Sequence, residues 1–428
     1  MRNPFSKVSA APTNPHEQAA AKPFDVADLY AGPVVGVRAG DDRPAPALDE
    51  KLRQAYFWIV NTAIISPFYD IEYNDKPPAT FVFGDSKTQV TLPSDQSYSS
   101  FVLLPLLNLV LRRRCLLVGG PGRGKTASAV LMGLLAGYSM KDIRQAIQHG
   151  QPQMTISDLL GNPLPSTLVG AKSMEEIQIS WRKWLGMRVK IIDEYNRIPT
   201  RTQSALLTVL ADNYAEILDH VYECPEAAWY LTANDDAGGG TYQVIEALRD
   251  RIDIVVRALH FNTRFLGDLL LRVEQEVRPE EVVPAEIIFT ERELTEIHSK
   301  ILNVTVPAPL RRRIEFFTGN FEFCEPAAGQ LEYKTKDTVK LSGLDFHLVV
   351  AGDAGKDAVR DIGRQTRNGL SVRALMTLLS FVKALAWFRG RSDVSFEDVR
   401  QVLPFVLHDK VTPDLDAAFF QASENAPL

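Results

Sequence analysis

Cys115-Leu-Leu-Val-Gly-Gly-Pro-Gly-Arg-Gly-Lys-Thr126 decides how this chain is read. Cys115 to Val118 is an apolar run ending at glycine, and Thr126 to Ala136 continues as an apolar helical pattern. Between them Gly119, Gly120, Pro121, Gly122, Arg123, Gly124, Lys125 and Thr126 satisfy GxxxxGK[ST] in full, in the strand–loop–helix context the motif needs. Glycine backbone adopts positive φ and turns N–H groups inward around phosphate oxygens. The helix N-terminus adds partial positive charge. Lys125 is expected to reach the β- and γ-phosphates of a nucleotide, and Thr126 to ligate Mg²⁺.

Working outward, Val189-Lys-Ile-Ile192 reads as a second strand and Ala228 to Ala233 as a third, with a helix over Thr200–Leu210 behind Pro199. Such alternation implies a mostly parallel sheet covered by helices. Asp193 and Glu194 end the second strand, where one carboxylate can hold Mg²⁺ through water and the other can orient and deprotonate an attacking water. Asn234 ends the third. Its amide could position that water or sense the γ-phosphate, or it is a turn former ahead of Gly238-Gly-Gly240. Arg249 and Arg251 read either as arginine fingers, cations supplied to a neighbour's γ-phosphate, or as local partners of Asp250 and Asp253. Arg373 stands in the first turn of a helix over Ser371–Phe388, against the helix dipole, which marks either a functional position or a solvated arginine.

The remaining chain sets the surroundings. At about 150 residues per domain, 428 residues imply two or three domains. A net charge of −6 argues against a broadly basic, nucleic-acid-coating surface. Arg112-Arg-Arg114 and Arg311-Arg-Arg313 read as solvated faces or helix ends. Three scattered cysteines and seven histidines without ligand spacing support neither a disulfide framework nor a zinc site. The start lacks an apolar signal core, and the most apolar run, Phe101 to Leu111, is shorter than the roughly 20 residues of a membrane span. A cytoplasmic protein with no membrane span is expected.

The first 50 residues, with ten Ala and seven Pro, read as a flexible arm. Residues 51–96 form an N-terminal extension with a helix (Leu52–Ile65) and a β-hairpin (Thr80–Phe83 with Gln89–Leu92). An α/β core is expected over 97–262 and a helical domain over 263–412, with capping boxes at Thr290–Glu293 and Ser395–Asp398. Within the helical domain, about 319–362 reads as strand-rich insertion (Phe321, Phe323, Leu331, Tyr333), and 413–428 is a tail.

Together these elements resemble the AAA+ ATPases, and within them the MoxR family, over roughly 97 to 412 less the insertion. Gly119 to Thr126 looks like Walker A. Asp158-Leu-Leu-Gly161 looks like the family's DLLG, and Asp193-Glu-Tyr-Asn-Arg197 with Pro199 and Thr202-Gln-Ser-Ala-Leu-Leu207 like its DEINR…P…QSALL. Gly240-Thr-Tyr242, Glu246-Ala247 and Asp250-Arg251 match GTY…EA…DR, and Gly369-Leu-Ser-Val-Arg-Ala374 resembles GASPRA. Tyr195, the Asp after Asn234 and the Ile252-Asp253 pair depart from the family pattern. The resemblance implies a P-loop AAA+ core followed by an all-α lid, a hexameric ring with ATP and Mg²⁺ between subunits, and a family insert that residues 161 to 181 can hold. It assigns sensor 1 to Asn234, the finger to Arg251 in trans with Arg249 as second candidate, and sensor 2 to Arg373 in cis. It further implies an ATP-hydrolysing chaperone or remodelling motor whose lid hinges against its core. Such a motor acts on a protein client, often with a von Willebrand factor A domain partner, in maturation or metal-cofactor insertion. The alternatives are a motor on nucleic acid, an ATP-dependent scaffold, and GTP in place of ATP.

Overall fold

The computed structural model describes residues 47–63, 68–73, 79–83, 88–92, 96–234, 244–260, 262–274, 278–322, 336, 343 and 365–412. The arm over 1–46, the tail from 413, the Gly238–Tyr242 stretch and nearly all of 323–364 lie outside them. The chain runs through α1 (Leu48–Trp58), β1 (Ile71–Tyr73), β2 (Ala79–Phe83), β3 (Thr88–Leu92), β4 (Gln96–Tyr98) and α2 (Ser100–Leu111). Next come β5 (Arg114–Val118), α3 (Lys125–Leu135), α4 (Met140–Ala146), β6 (Gln148–His149), α5 (Ile156–Leu160), β7 (Gly161–Pro163), α6 (Pro165–Leu168) and β8 (Ile179–Trp181). After these follow β9 (Val189–Asp193), α7 (Thr200–Asp212), β10 (Tyr214–Ile217), β11 (His220–Glu223), β12 (Ala228–Ala233), α8 (Glu246–Arg251) and β13 (Ile254–Arg257). The helical part comprises α9 (Leu266–Glu274), α10 (Glu291–Leu302), α11 (Ala308–Glu322), α12 (Val372–Phe388) and α13 (Phe396–Leu407).

β5, β9 and β12 carry apolar residues on both faces because both faces are covered, as in any parallel α/β sheet. They form one five-stranded sheet in the order β13-β5-β12-β9-β6, every pairing parallel. Lys190 is the polar exception within β9. It is fully buried, and its ammonium donates to the carbonyls of Trp184, Leu185 and Met187 at the end of a 3₁₀ turn. β2 and β3 pair as the expected hairpin, and β7 with β8 and β10 with β11 form two more.

One hydrophobic core passes under the sheet and into the helical domain without interruption. It joins Leu117 of β5, Met132 of α3 and Val256 of β13 to Phe381, Val382 and Leu385 of α12 and to Tyr56 of α1. The N-terminal extension is part of this packing. Lys51 pairs with Glu293 at 2.7 Å, Arg53 donates to the Phe388 carbonyl, and the Tyr73 hydroxyl donates to buried Asp398. The capping boxes form at Thr290 and Ser395.

Three expectations are corrected. Helix α1 starts at Leu48, inside the stretch read as arm. Helix α11 runs through Gly319 to Glu322, where Phe317 and Phe321 meet edge to face one turn apart with ring centroids 5.0 Å from each other and Phe321 is buried, so the strand reading does not hold there. Of the two readings of the arginines at 112–114, the helix end holds, since Arg112 is the C-cap of α2, and the solvated face does not. Arg112 binds Glu291 and Thr295, Arg113 binds Ser380, and Arg114 binds the Leu210 carbonyl and Asp253.

Candidate active site

The loop between β5 and α3 turns over at two glycines in the left-handed region, Gly122 (φ 72°) and Gly124 (φ 75°), which an L side chain adopts only with strain. Helix α3 therefore starts at Lys125 with its backbone N–H groups facing the loop. A cavity of about 310 Å³ opens there, lined by Pro121, Gly122, Arg123, Gly124, Lys125, Thr126, Asp193, Glu194, Thr232 and Asn234. Gly119 and Gly120 contribute carbonyls behind it, and a Cβ at Gly119 would lie 2.5 Å from the Ala258 carbonyl oxygen. Arg123 turns outward, donating to the Ala258 carbonyl and meeting His260.

Three parallel strands end side by side at this cavity and set its polar groups. The Lys125 ammonium is buried and donates to the carbonyls of Gly119 (2.6 Å) and Gly120 (2.7 Å) and to Asn234 Oδ1 (2.9 Å). The Asn234 amide donates to Glu194 Oε1 at 2.9 Å. Thr126 and Thr232 hydroxyls each donate to Asp193 Oδ1 at 2.7 Å. The Glu194 N–H donates to the Thr232 hydroxyl at 2.9 Å. These bonds form an unbroken path from Thr126 through Asp193, Thr232, Glu194 and Asn234 to Lys125. A buried ammonium that donates to backbone carbonyls and an amide oxygen suits an incoming phosphate, because bonds between two charged groups are stronger than those to neutral oxygens. A hydroxyl beside a carboxylate is a donor set suited to Mg²⁺.

The sequence did not mark four residues that the structure brings here. Thr232 bridges both acids. His149, in β6 beside Asp193, places Nδ1 3.3 Å from Asp193 Oδ2. Arg197 pairs with Glu194 at 3.2 Å. Gly150 passes so close that a Cβ would lie 2.2 Å from the Glu194 carbonyl oxygen. Strand register brings in Thr232 and His149, whereas Arg197, the last residue of the motif quoted from Asp193, reaches Glu194 across one short turn.

Arg249, Arg251 and Arg373 are brought together, away from this cavity. Arg373 pairs with Asp250 of α8, which also accepts from Ser371, and Lys410 donates to the Asp250 carbonyl. One turn after Arg373, the Thr377 hydroxyl donates to Asp253, which accepts from the Arg114 N–H at the first residue of β5. The P-loop leaves from the other end of β5, four residue steps or roughly 13 Å along the strand. Arg251 donates to the Ala247 carbonyl, and its Nε is buried without a partner among the described residues. Arg249 is exposed. With Lys410 and the His408 hydrogen bond, which is the larger cause, it holds the Asp409 carboxyl below its ordinary range.

Comparison with known proteins gives three kinds of match. The family model of the ATPase family associated with various cellular activities matches residues 114–254, and that of the AAA lid domain matches 361–427. Chaperone MoxR1 of Mycobacterium tuberculosis is 25% identical over 319 residues, covering 73% of this chain and 71% of that one. Protein MoxR of Paracoccus denitrificans is 24% identical over 323 residues, covering 72% and 83%. A crystal structure of a candidate ATPase from Cytophaga hutchinsonii shares the fold, with a TM-score of 0.52 at 20% identity, over 77% of this chain and 86% of that one.

Proposed function

We propose, from the premise that the chain belongs to the MoxR family of AAA+ ATPases, that it is an ATP-hydrolysing chaperone or remodelling motor. It works as an oligomeric ring on a protein client, and the client class extends from the relative that is named a chaperone. The observation that carries this is the unbroken hydrogen-bond path around the cavity from Thr126 to Lys125.

ATP enters with its phosphates against the backbone of Gly119 to Gly124. Lys125 exchanges its carbonyl partners for β- and γ-phosphate oxygens. Thr126 and Asp193 would hold Mg²⁺, which when bound neutralises charge on the phosphate oxygens. Glu194 accepts a proton from the attacking water as its oxygen bonds to the γ-phosphorus and the bond to the β–γ bridging oxygen breaks. Asn234 fixes Glu194 Oε1 through its amide, so the base is aimed before the water arrives.

Arg251, with Arg249 beside it, and Arg373 serve the cavity of the next copy. For Arg373 this replaces a role in its own cavity, because Asp250 and Asp253 anchor its helix at the other end of β5. A finger arginine is worth about 10³-fold or more in rate. A nucleic-acid track finds no support in Arg112, Arg113 and Arg114, whose guanidinium groups are engaged inside the fold.

Glu194→Gln tests the assignment. It should bind ATP as the unaltered chain does and hydrolyse it at least ~10²-fold more slowly; normal turnover would remove Glu194 from its role. Proteins captured by the ATP-trapped Glu194→Gln form identify the client. A von Willebrand factor A domain protein among them supports the maturation reading.

A further inference from the structure

Asp193 presents two carboxylate oxygens, and they have different partners. Oδ1 accepts from the hydroxyls of Thr126 and Thr232, both at 2.7 Å. Oδ2 is met by Nδ1 of His149 at 3.3 Å. An ionised carboxylate only accepts hydrogen bonds, so this contact requires the imidazole proton on Nδ1. The strand register builds the contact. β6 is two residues long, and Gln148 and His149 pair in parallel with Ile192 and Asp193, the last two residues of β9. Both flanks of β6 are fixed. Before it, the Ile147 N–H donates to the carbonyl of Ile143, which is buried. After it, the Gly150 N–H donates to the Asp193 carbonyl at 2.7 Å, and Gly150 lies against the Glu194 carbonyl where a Cβ has no room. A slip of one residue would take His149 off Asp193 and turn its ring to the other face of the sheet. The His149 side chain itself is 59% exposed, so the ring is held at the acid without being part of the core.

We propose that His149 is a positioning residue for Asp193. By holding Oδ2 it keeps Oδ1 turned to Thr126, and so raises the affinity of the site for a divalent cation that enters with the nucleotide. This rests on the reading that Thr126 and Asp193 hold Mg²⁺. The terminal torsion of an aspartate is broad, and a carboxylate left to itself turns its oxygens freely about it. A hydrogen bond to one oxygen removes that freedom before the cation arrives and leaves the other oxygen for it. Thr126 and Thr232 act on Oδ1, the oxygen on the P-loop side, whereas His149 acts on Oδ2 from the neighbouring strand. Groups that hydrogen-bond a metal ligand in this way are typically worth about 10- to 100-fold in metal affinity or activity.

The probe is Mn²⁺, which takes the same oxygen ligands as Mg²⁺ and whose free-ion paramagnetic resonance signal falls as it binds. The full chain, in excess over a non-hydrolysable ATP analogue, is titrated with Mn²⁺, a readout independent of turnover. His149→Ala is expected to weaken Mn²⁺ binding by about 10-fold or more. It is also expected to raise the Mg²⁺ concentration for half-maximal ATP turnover by a larger factor than kcat at saturating Mg²⁺ falls. His149→Asn, whose side-chain amide N–H stands where Nδ1 does, is expected to regain most of both. Binding of the analogue alone, measured in chelator, is expected to hold in both variants, whereas general damage to the cavity would lower it. Unchanged Mn²⁺ affinity in His149→Ala, or a His149→Asn variant as weak as His149→Ala, overturns the proposal. Asp193→Asn separates the two levels. If it weakens Mn²⁺ binding while His149→Ala does not, the metal reading stands and His149 has no part in it. If Asp193→Asn leaves Mn²⁺ binding unchanged, the reading beneath falls, and the proposal with it.

Discussion

Glu194 holds a left-handed backbone, φ 53° and ψ 48°, that non-glycine residues adopt at a cost of about 1–3 kcal/mol. The hydrogen bond from its N–H to Thr232 offsets part of that cost and turns the carboxylate toward Asn234. Thr232 is buried, and its hydroxyl serves Asp193 and Glu194 at once. Thr232→Val should leave the half-buried Glu194 N–H without its Thr232 partner and destabilise the protein by about 1 kcal/mol in denaturant unfolding. It should also lower kcat far more than it raises KM, since it misaims the base while the phosphate cradle stays intact. Equal losses in both would refute that division. That Lys125, Thr126, Asp193 and Glu194 would meet at one cavity was legible in the sequence, because GxxxxGK[ST] between strand and helix and an acid pair at a strand end constrain residue type and spacing together. Thr232 and His149 were not. Their place beside Asp193 depends on Leu231 pairing with Ile192 and His149 with Asp193, registers that no local pattern encodes.

Among elements, β9 combines an end that lines the cavity with a buried lysine in its middle. Burial pushes the Lys190 pKa down to about 8, against about 10.4 in an unfolded chain. Between those values the unfolded chain binds more protons than the folded one, so stability rises with pH through that window and is lost as pH falls toward 8. The gain is about 1.4 kcal/mol per pH unit at most. Buried Cys115 and Cys224, whose thiols burial pushes up, pull the other way, so the check is a difference: from about pH 8 to about pH 9.5 the unfolding midpoint should change more favourably in the unaltered protein than in Lys190→Met. Identical slopes would mean the ammonium is not desolvated. The strand itself was plain from its apolar run. That its one polar residue would cap a 3₁₀ turn was not, because the acceptors belong to Trp184, Leu185 and Met187, in a turn with no motif. Likewise the alternation of Phe321 and Phe323 read as strand, yet burial of Phe321 carries α11 to Glu322.

For the whole molecule, the continuous core decides what can move. The sequence separated an α/β core, a lid and an N-terminal extension by their periodicities, and the family resemblance supplied a hinge between lid and core. Phe381, Val382 and Leu385 are buried in the same cluster as Leu117 and Val256, so α12 packs on the sheet, with α1 packed across both. Opening such a joint exposes apolar surface at about 25 cal/mol per Å², so the proposed cycle runs between copies more readily than within one. Subunit mixing is the direct check. Arg251→Ala and Glu194→Gln, each inactive alone, should regain turnover when combined, since one supplies a sound base and the other a sound guanidinium; no recovery at any ratio would place both residues in one cavity. Placing Arg373 and Arg251 at the end of the sheet remote from their own P-loop also has a genetic consequence. On the proposed trans role, a chain that has lost Arg251 injures the copy it touches and spares itself. Co-expressed with the normal allele, it should behave as a dominant mutation whose harm outruns its share of the gene dose.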